Sequence, residues 1–224
     1  MKVWLFGDSH TNGWYPEFNA MSSDEVTNFA VSGSNSHHWQ NGVVPGQEQH
    51  PGEGLLDLAF DANPGVTPDV VVYAVGANDA VIYPALDINH PDKAYYEPPM
   101  TAARNRANID RILEDYDVPR VIWARQGFAD AVGPQYHNGN GGTYDGFLCN
   151  MNIHAYQQWE IERLWSEQMV NLWIKPIEQY AWSDLTEAQK MGTNQLLKVL
   201  ACTHHNASGR IEAATRVLNA LSAP

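Results

Sequence analysis

The stretch DVVVYAVG, residues 69 to 76, sets an unbroken β-branched run between an aspartate and a glycine. A strand with one wet face would alternate polar and apolar residues. An uninterrupted run marks a strand covered on both faces, the kind found in parallel sheets. Three other stretches share the pattern: KVWLF (2–6) ending at Gly7, EVTNFAV (25–31) ending at Ser32-Gly33, and PRVIWA (119–124). Helical patterns lie between and after them. GEGLLDLAFDA (52–62) is short, whereas MTAARNRANIDRILEDY (100–116) sets Ile109, Ile112 and Leu113 on one face after Pro98 and Pro99. From Asn152 to about Lys175, the residues Ile161, Leu164, Trp165, Leu172 and Trp173 fall at helical spacing, with Pro176 as a stop. ASGRIEAATRVLNAL (207–221) closes the chain as an amphipathic helix. Strands alternating with helices predict an α/β domain whose parallel strands are joined by right-handed crossovers. No repeat or linker divides the chain, so one domain over residues 1–224 is expected.

Composition narrows the function. The chain has 13 basic and 26 acidic residues, a net charge of −13, and no basic run. Nucleic acids and anionic membrane surfaces reward clustered Lys and Arg, so neither is an expected partner. No apolar run approaches the roughly 18 residues of a membrane-spanning segment. The opening MKVWLFGD has neither the length nor the small-residue cleavage site of a signal peptide, which makes the cytoplasm the default expectation. The two cysteines, Cys149 and Cys202, lack metal-ligand spacing and are expected as free thiols. His37, His38, His50, His90, His137 and His154 show no ligand spacing either, and the residues imply no metal or cofactor.

The polar residues at strand ends are more informative. Ser9 follows the first strand in FGDSHT, Gly33 the second in NFAVSGSNS, and Asn78 the third in VGANDA. His204 stands in ACTHHNASGR, directly before the terminal helix. In a doubly wound sheet, ligands bind beyond the carboxyl ends of the strands, where these residues cluster. A serine there is either a helix cap or a nucleophile activated by a histidine. Asp8 suits a turn that accepts backbone N–H groups, and Asp79 suits a cap after the third strand. His10 is expected at a helix N-terminus in contact with solvent, with a substrate contact as the sharper alternative.

These four pieces resemble the blocks of the SGNH hydrolases, also called GDSL-type esterases. FGDSHT resembles the first, NFAVSGSNS the second, VGANDA the third and HHNASG the last. In the last block a glycine follows the histidine by five residues, a spacing that His204 meets with Gly209 and His205 does not. The resemblance implies a three-layer sandwich with a parallel, doubly wound (flavodoxin-like) sheet flanked by helices. It also implies Ser9 as nucleophile, His204 as base, and an oxyanion hole formed by Ser9, Gly33 and Asn78. The physical logic agrees. A carbonyl under attack gathers negative charge on its oxygen, and each preorganised donor aimed there is worth about 3 kcal/mol.

One position departs from the family. Three residues before the histidine the family carries an aspartate, where this chain has Ala201, and LKVLACTHHN contains no carboxylate. That carboxylate ordinarily holds the imidazole and steadies its charged form. Three alternatives stand: a backbone carbonyl near Ala201 or Cys202 holds the ring, a carboxylate such as Asp184 or Glu187 substitutes, or catalysis has weakened. The functional expectation is a serine esterase acting on small acyl esters, acetyl first. The alternative is a glycan-binding or structural module on the same scaffold.

The long irregular stretches 83–99 and 126–150 should rim the site. They carry Tyr83, Tyr95, Tyr96, Phe128, Tyr136, Tyr144 and Phe147 among Gly and Asn residues. Flat aromatic faces mixed with amides suit a sugar ring, so an O-acetylated carbohydrate is the expected substrate, with His10, Tyr83 and Tyr136 as candidate contacts.

Overall fold

The computed structural model describes residues 1–40, 54–76, 78–79, 89, 98–125 and 207–223, together with the short strand segments 136–137, 143–144, 169–171, 199–200 and 204–205. Its helices are α1 (Ser9–Met21), α2 (Ser36–Trp39), α3 (Leu55–Asp61), α4 (Pro98–Glu114) and α5 (Ala207–Ser222). Its strands are β1 (Lys2–Gly7), β2 (Glu25–Asn28), β3 (Val70–Ala74), β4 (Val121–Arg125), β5 (Tyr136–His137), β6 (Thr143–Tyr144), β7 (Met169–Asn171), β8 (Val199–Leu200) and β9 (His204–His205). Five of these strands form one sheet in the order β2-β1-β3-β4-β7, every pair parallel. This is the doubly wound arrangement expected from the sequence. The order reverses between β1 and β3, and the crevice beyond their carboxyl ends is the switch point.

Period-two alternation sorts the core into two layers. Val3 and Leu5 of β1, with Val70 and Val72 of β3, bury against Trp14 and Phe18 of α1 and Ala213 and Val217 of α5. Trp4, Phe6, Val71 and Tyr73 point the other way, against Trp39 of α2, Leu56 of α3, and Ile109 and Ile112 of α4. All five residues of β3 are buried, which explains its unbroken apolar run.

Several boundaries differ from expectation. β2 ends at Asn28, although Phe29 and Val31 still donate to Leu5 and Gly7 carbonyls at 2.9 Å, so its pairing outlasts its regular geometry. α4 begins at Pro98, because a proline in the first turn lacks only a donor the helix does not use there. The helix expected over 152–175 is corrected in part: Met169–Asn171 is strand β7, with Trp123 and Met169 in register. Parallel pairing with β4 overrides the helical spacing, while the rest of that stretch lies outside the described residues. Among the described residues, no helix is long and apolar enough to cross a membrane.

Gly7 joins β1 to α1. A Cβ there would stand 2.0 Å from Thr11 Oγ1 and 3.0 Å from the Ala74 carbonyl oxygen. Thr11 is buried and cannot swing clear. Gly7→Ala should therefore destabilise the protein by about 1–3 kcal/mol, as overpacking does, seen as a lower urea midpoint at unchanged slope. An unshifted midpoint would show that the junction relaxes without cost.

Candidate active site

Asp8 ends the β1 turn in extended conformation, and its buried side chain accepts the His10 amide N–H at 2.9 Å. Asp8 is thus the N-cap of α1, and Ser9 is the first helical residue. The cap role that competed for Ser9 belongs to its neighbour. Ser9 is half-buried at the positive end of a helix that starts at the switch point. His10 differs from expectation. It is only 5% exposed, because its place in the first turn faces inward and not toward solvent.

The second turn is pinned to the first. Ser34 Oγ donates to the Gly7 carbonyl at 3.0 Å and accepts the Trp39 indole N–H at 3.0 Å. Asn12, in the first turns of α1, donates through Nδ2 to the Ala30 carbonyl and Ser32 Oγ, both at 3.2 Å. Between these anchors Gly33 takes φ +83°, a left-handed conformation that favours glycine, and a Cβ there would meet nothing within 4 Å. Backbone geometry demands the glycine, and the space before it is open.

Asn78 joins the same frame, donating through Nδ2 to the Ser34 carbonyl at 2.7 Å. A primary amide has two N–H donors, and Ser34 takes one of them. Asp79, next in the chain, is fully buried. Its oxygens reach back to α2, accepting the Ser36 N–H at 2.9 Å and the Ser36 hydroxyl at 2.6 Å. His37 and His38 occupy the same one-turn helix, where His38 Nδ1 accepts the Asn35 amide at 3.1 Å.

Sequence reasoning missed the layer beneath. Arg104 of α4 is fully buried, donating through Nε to Ser36 Oγ at 2.9 Å and lying 3.4 Å from Asp79 Oδ1. Asn108 Nδ2 donates to the Ser36 carbonyl at 3.0 Å and to the Tyr73 hydroxyl at 2.9 Å, and that hydroxyl donates to Asn105 Oδ1 at 2.8 Å. A signal existed: Thr101, Arg104, Asn105 and Asn108 continue the same helical stripe as Ile109 and Ile112, placing polar groups where an apolar face was due.

The fourth block is placed by its backbone. β9, which holds His204 and His205, pairs with β8 and comes within 8 Å of α1 between Cα atoms. β9 leads directly into α5, which packs on α1 with Arg210 Nε 3.0 Å from Glu17 Oε1. Tyr136 is in register with Tyr144 across β5 and β6. Tyr83, Asp184, Glu187, Ala201 and Cys202 lie outside the described residues. Among the described residues, no group of three or more His, Cys, Asp or Glu side chains could hold a metal ion.

No protein-family model and no curated protein sequence matches the chain. Solved structures do. An acetylxylan esterase from Geobacillus stearothermophilus aligns with a TM-score of 0.59 at 13% identity, over 100% of this chain and 94% of its own. A second acetylxylan esterase gives 0.53 at 16%, over 99% and 100%. A Slackia heliotrinireducens protein assigned to the SGNH hydrolases gives 0.54 at 15%, over 99% of both chains. The chain has the three-layer fold of the SGNH hydrolases.

Tyr73 gives the buried layer a pH signature. Burial pushes its phenol far above the ordinary value, with the Asn108 hydrogen bond pulling less strongly the other way. The unfolded phenol ionises near pH 10, about its ordinary value, so the folded state loses stability as pH rises past that point. Urea midpoints of wild type should fall more steeply above about pH 10 than those of Tyr73→Phe. Parallel profiles would show that the hydroxyl ionises as freely in the folded protein as in the unfolded one.

Proposed function

We propose that this chain is a serine esterase of the SGNH (GDSL-type) family that releases small acyl groups, acetyl foremost, from carbohydrate hydroxyls. One observation carries the reading. The turn holding Ser9, the open turn at Gly33 and the Asn78 amide are tied into one frame through Ser34, which bonds to Gly7 on one side and Asn78 on the other.

In this reaction Ser9 Oγ attacks the ester carbonyl while His204 takes its proton. The N–H groups of Ser9 and Gly33 and the second Asn78 N–H receive the charge gathering on the carbonyl oxygen. Collapse expels the alcohol, which takes the proton from His204. Water then repeats the sequence on the acyl-enzyme and frees the acid. A backbone carbonyl near Ala201 or Cys202 would hold the imidazole in place of the family's aspartate. The acetyl preference draws on two neighbours that are acetylxylan esterases. His10, Tyr83 and Tyr136 are the proposed contacts to the sugar.

Ala201 favours a second reading, a glycan-binding module with weakened turnover, since losing the triad aspartate can cost about 10⁴ in rate. Labelling separates the two. An organophosphonate should attach to Ser9 of an esterase and leave a binding module unmodified.

With nitrophenyl acetate, Ser9→Ala and His204→Ala should fall to background, and Asn78→Ala should lose about 10²–10³ in kcat, as when one oxyanion donor is removed. Acetate should be released from acetylated xylan and not from triacetylglycerol. Equal turnover by wild type and Ser9→Ala would reject the mechanism, and the opposite selectivity would reject the sugar substrate.

A further inference from the structure

Beneath the three turns lies a charged pair that takes no part in the proton transfers. Asp79 and Arg104 are both fully buried, on different elements, with 3.4 Å between Oδ1 and the guanidinium. Arg104 also donates to Ser36 Oγ at 2.9 Å and to Thr101 Oγ1 at 3.1 Å. Its fork therefore joins α4, α2 and the segment after β3.

Asn78 is held at two points, and both lead to this arginine. Its backbone is fixed by the next residue, Asp79, whose carboxylate is bound by Ser36 and Arg104. Its side chain is fixed by the Ser34 carbonyl, two residues before Ser36. Ser36 is itself held at its amide by Asp79, at its hydroxyl by Asp79 and Arg104, and at its carbonyl by Asn108. No solvent reaches this junction to replace a lost bond. A buried ion pair adds little stability over an apolar filling of equal volume, and here its bonds run between three elements of the site. A lysine would supply one point charge where the fork makes several directed bonds.

We infer that Arg104 is a positioning residue for the ester chemistry, acting through Asp79 and Ser36 to hold the Asn78 amide where charge develops on the substrate oxygen. This rests on the proposed esterase reading. Displacing a donor by about 1 Å can cost up to about 100-fold in rate without loss of substrate affinity.

The test is a double-mutant cycle between Arg104→Met and Asn78→Ala, read in kcat and KM for nitrophenyl acetate alongside thermal unfolding of each variant. Arg104→Met should lower kcat by about 10- to 100-fold with KM nearly unchanged. In the Asn78→Ala background the same substitution should cost less than about 3-fold, because residues acting as one unit are not additive. Arg104→Lys keeps the buried charge; it should repeat the pattern in milder form and serves as the readout if the Met variant does not fold. A folded Arg104 variant with wild-type kcat overturns the inference, as do equal losses in both backgrounds. Ser9→Ala run in parallel separates the two claims. Turnover that survives Ser9→Ala brings down the esterase reading and this inference with it. Turnover that depends on Ser9, with an additive cycle, brings down this inference alone.

Discussion

The Gly7 carbonyl accepts two hydrogen bonds, from the Val31 amide at 2.9 Å and from the Ser34 hydroxyl at 3.0 Å. Through these bonds the end of β1 and the loop after β2 become one body. The residue also has to be glycine, since Thr11 and the Ala74 carbonyl already fill the place of a side chain. The same lack of a side chain that lets α1 start close to β3 brings Ser9 to the switch point. This junction and the Asn12 bonds to Ala30 and Ser32 together set the open turn at Gly33 relative to the helix that begins at Ser9.

A second constraint lies below the first. Capping groups at this site work across elements as well as within them. Asn35 caps α2 locally, yet Asp79, more than 40 residues on, binds the first amide and hydroxyl of the same helix. Breaking one partner of a buried pair strands the other and costs about 3–5 kcal/mol, while replacing both with apolar groups is often neutral. Stability alone therefore does not account for a charged junction here. The bonds of this junction join α2, α4 and the segment after β3.

The strands were legible because burial on both faces leaves a plain mark. Val70, Val71 and Val72 run without a polar residue among them to confuse the pattern, and the pleat sorts Val3 and Leu5 from Trp4 and Phe6. β7 was hidden for the opposite reason. Three residues are too few to show a period of two, and Leu172 and Trp173 fit the helical spacing of Ile161, Leu164 and Trp165 equally well. Ser9, Gly33 and Asn78 stood out because each comes within a few residues of a strand end, where chain order predicts location. The residues that hold them did not. Arg104 meets Ser36 across 68 positions, and Asn108 meets it across 72, and no local pattern encodes such a partner. The inward turn of His10 was equally invisible, since the first turn of a helix exposes some positions and buries others according to what packs on it.

The backbone of the histidine block is placed by a different route from the other three. Ser9, Gly33 and Asn78 are set by the sheet, each lying just past a strand end. β9 belongs to a separate hairpin and lies against α1, and α5 continues from it along the same helix with Arg210 paired to Glu17. The α1–α5 contact is a core contact, with Trp14 and Phe18 buried beside Ala213, Ala214 and Val217. The backbone of the block is thus tied to the apolar packing of α5 on α1. The family's carboxylate acts on the direction and charge of the imidazole, which is a separate matter from where the backbone lies.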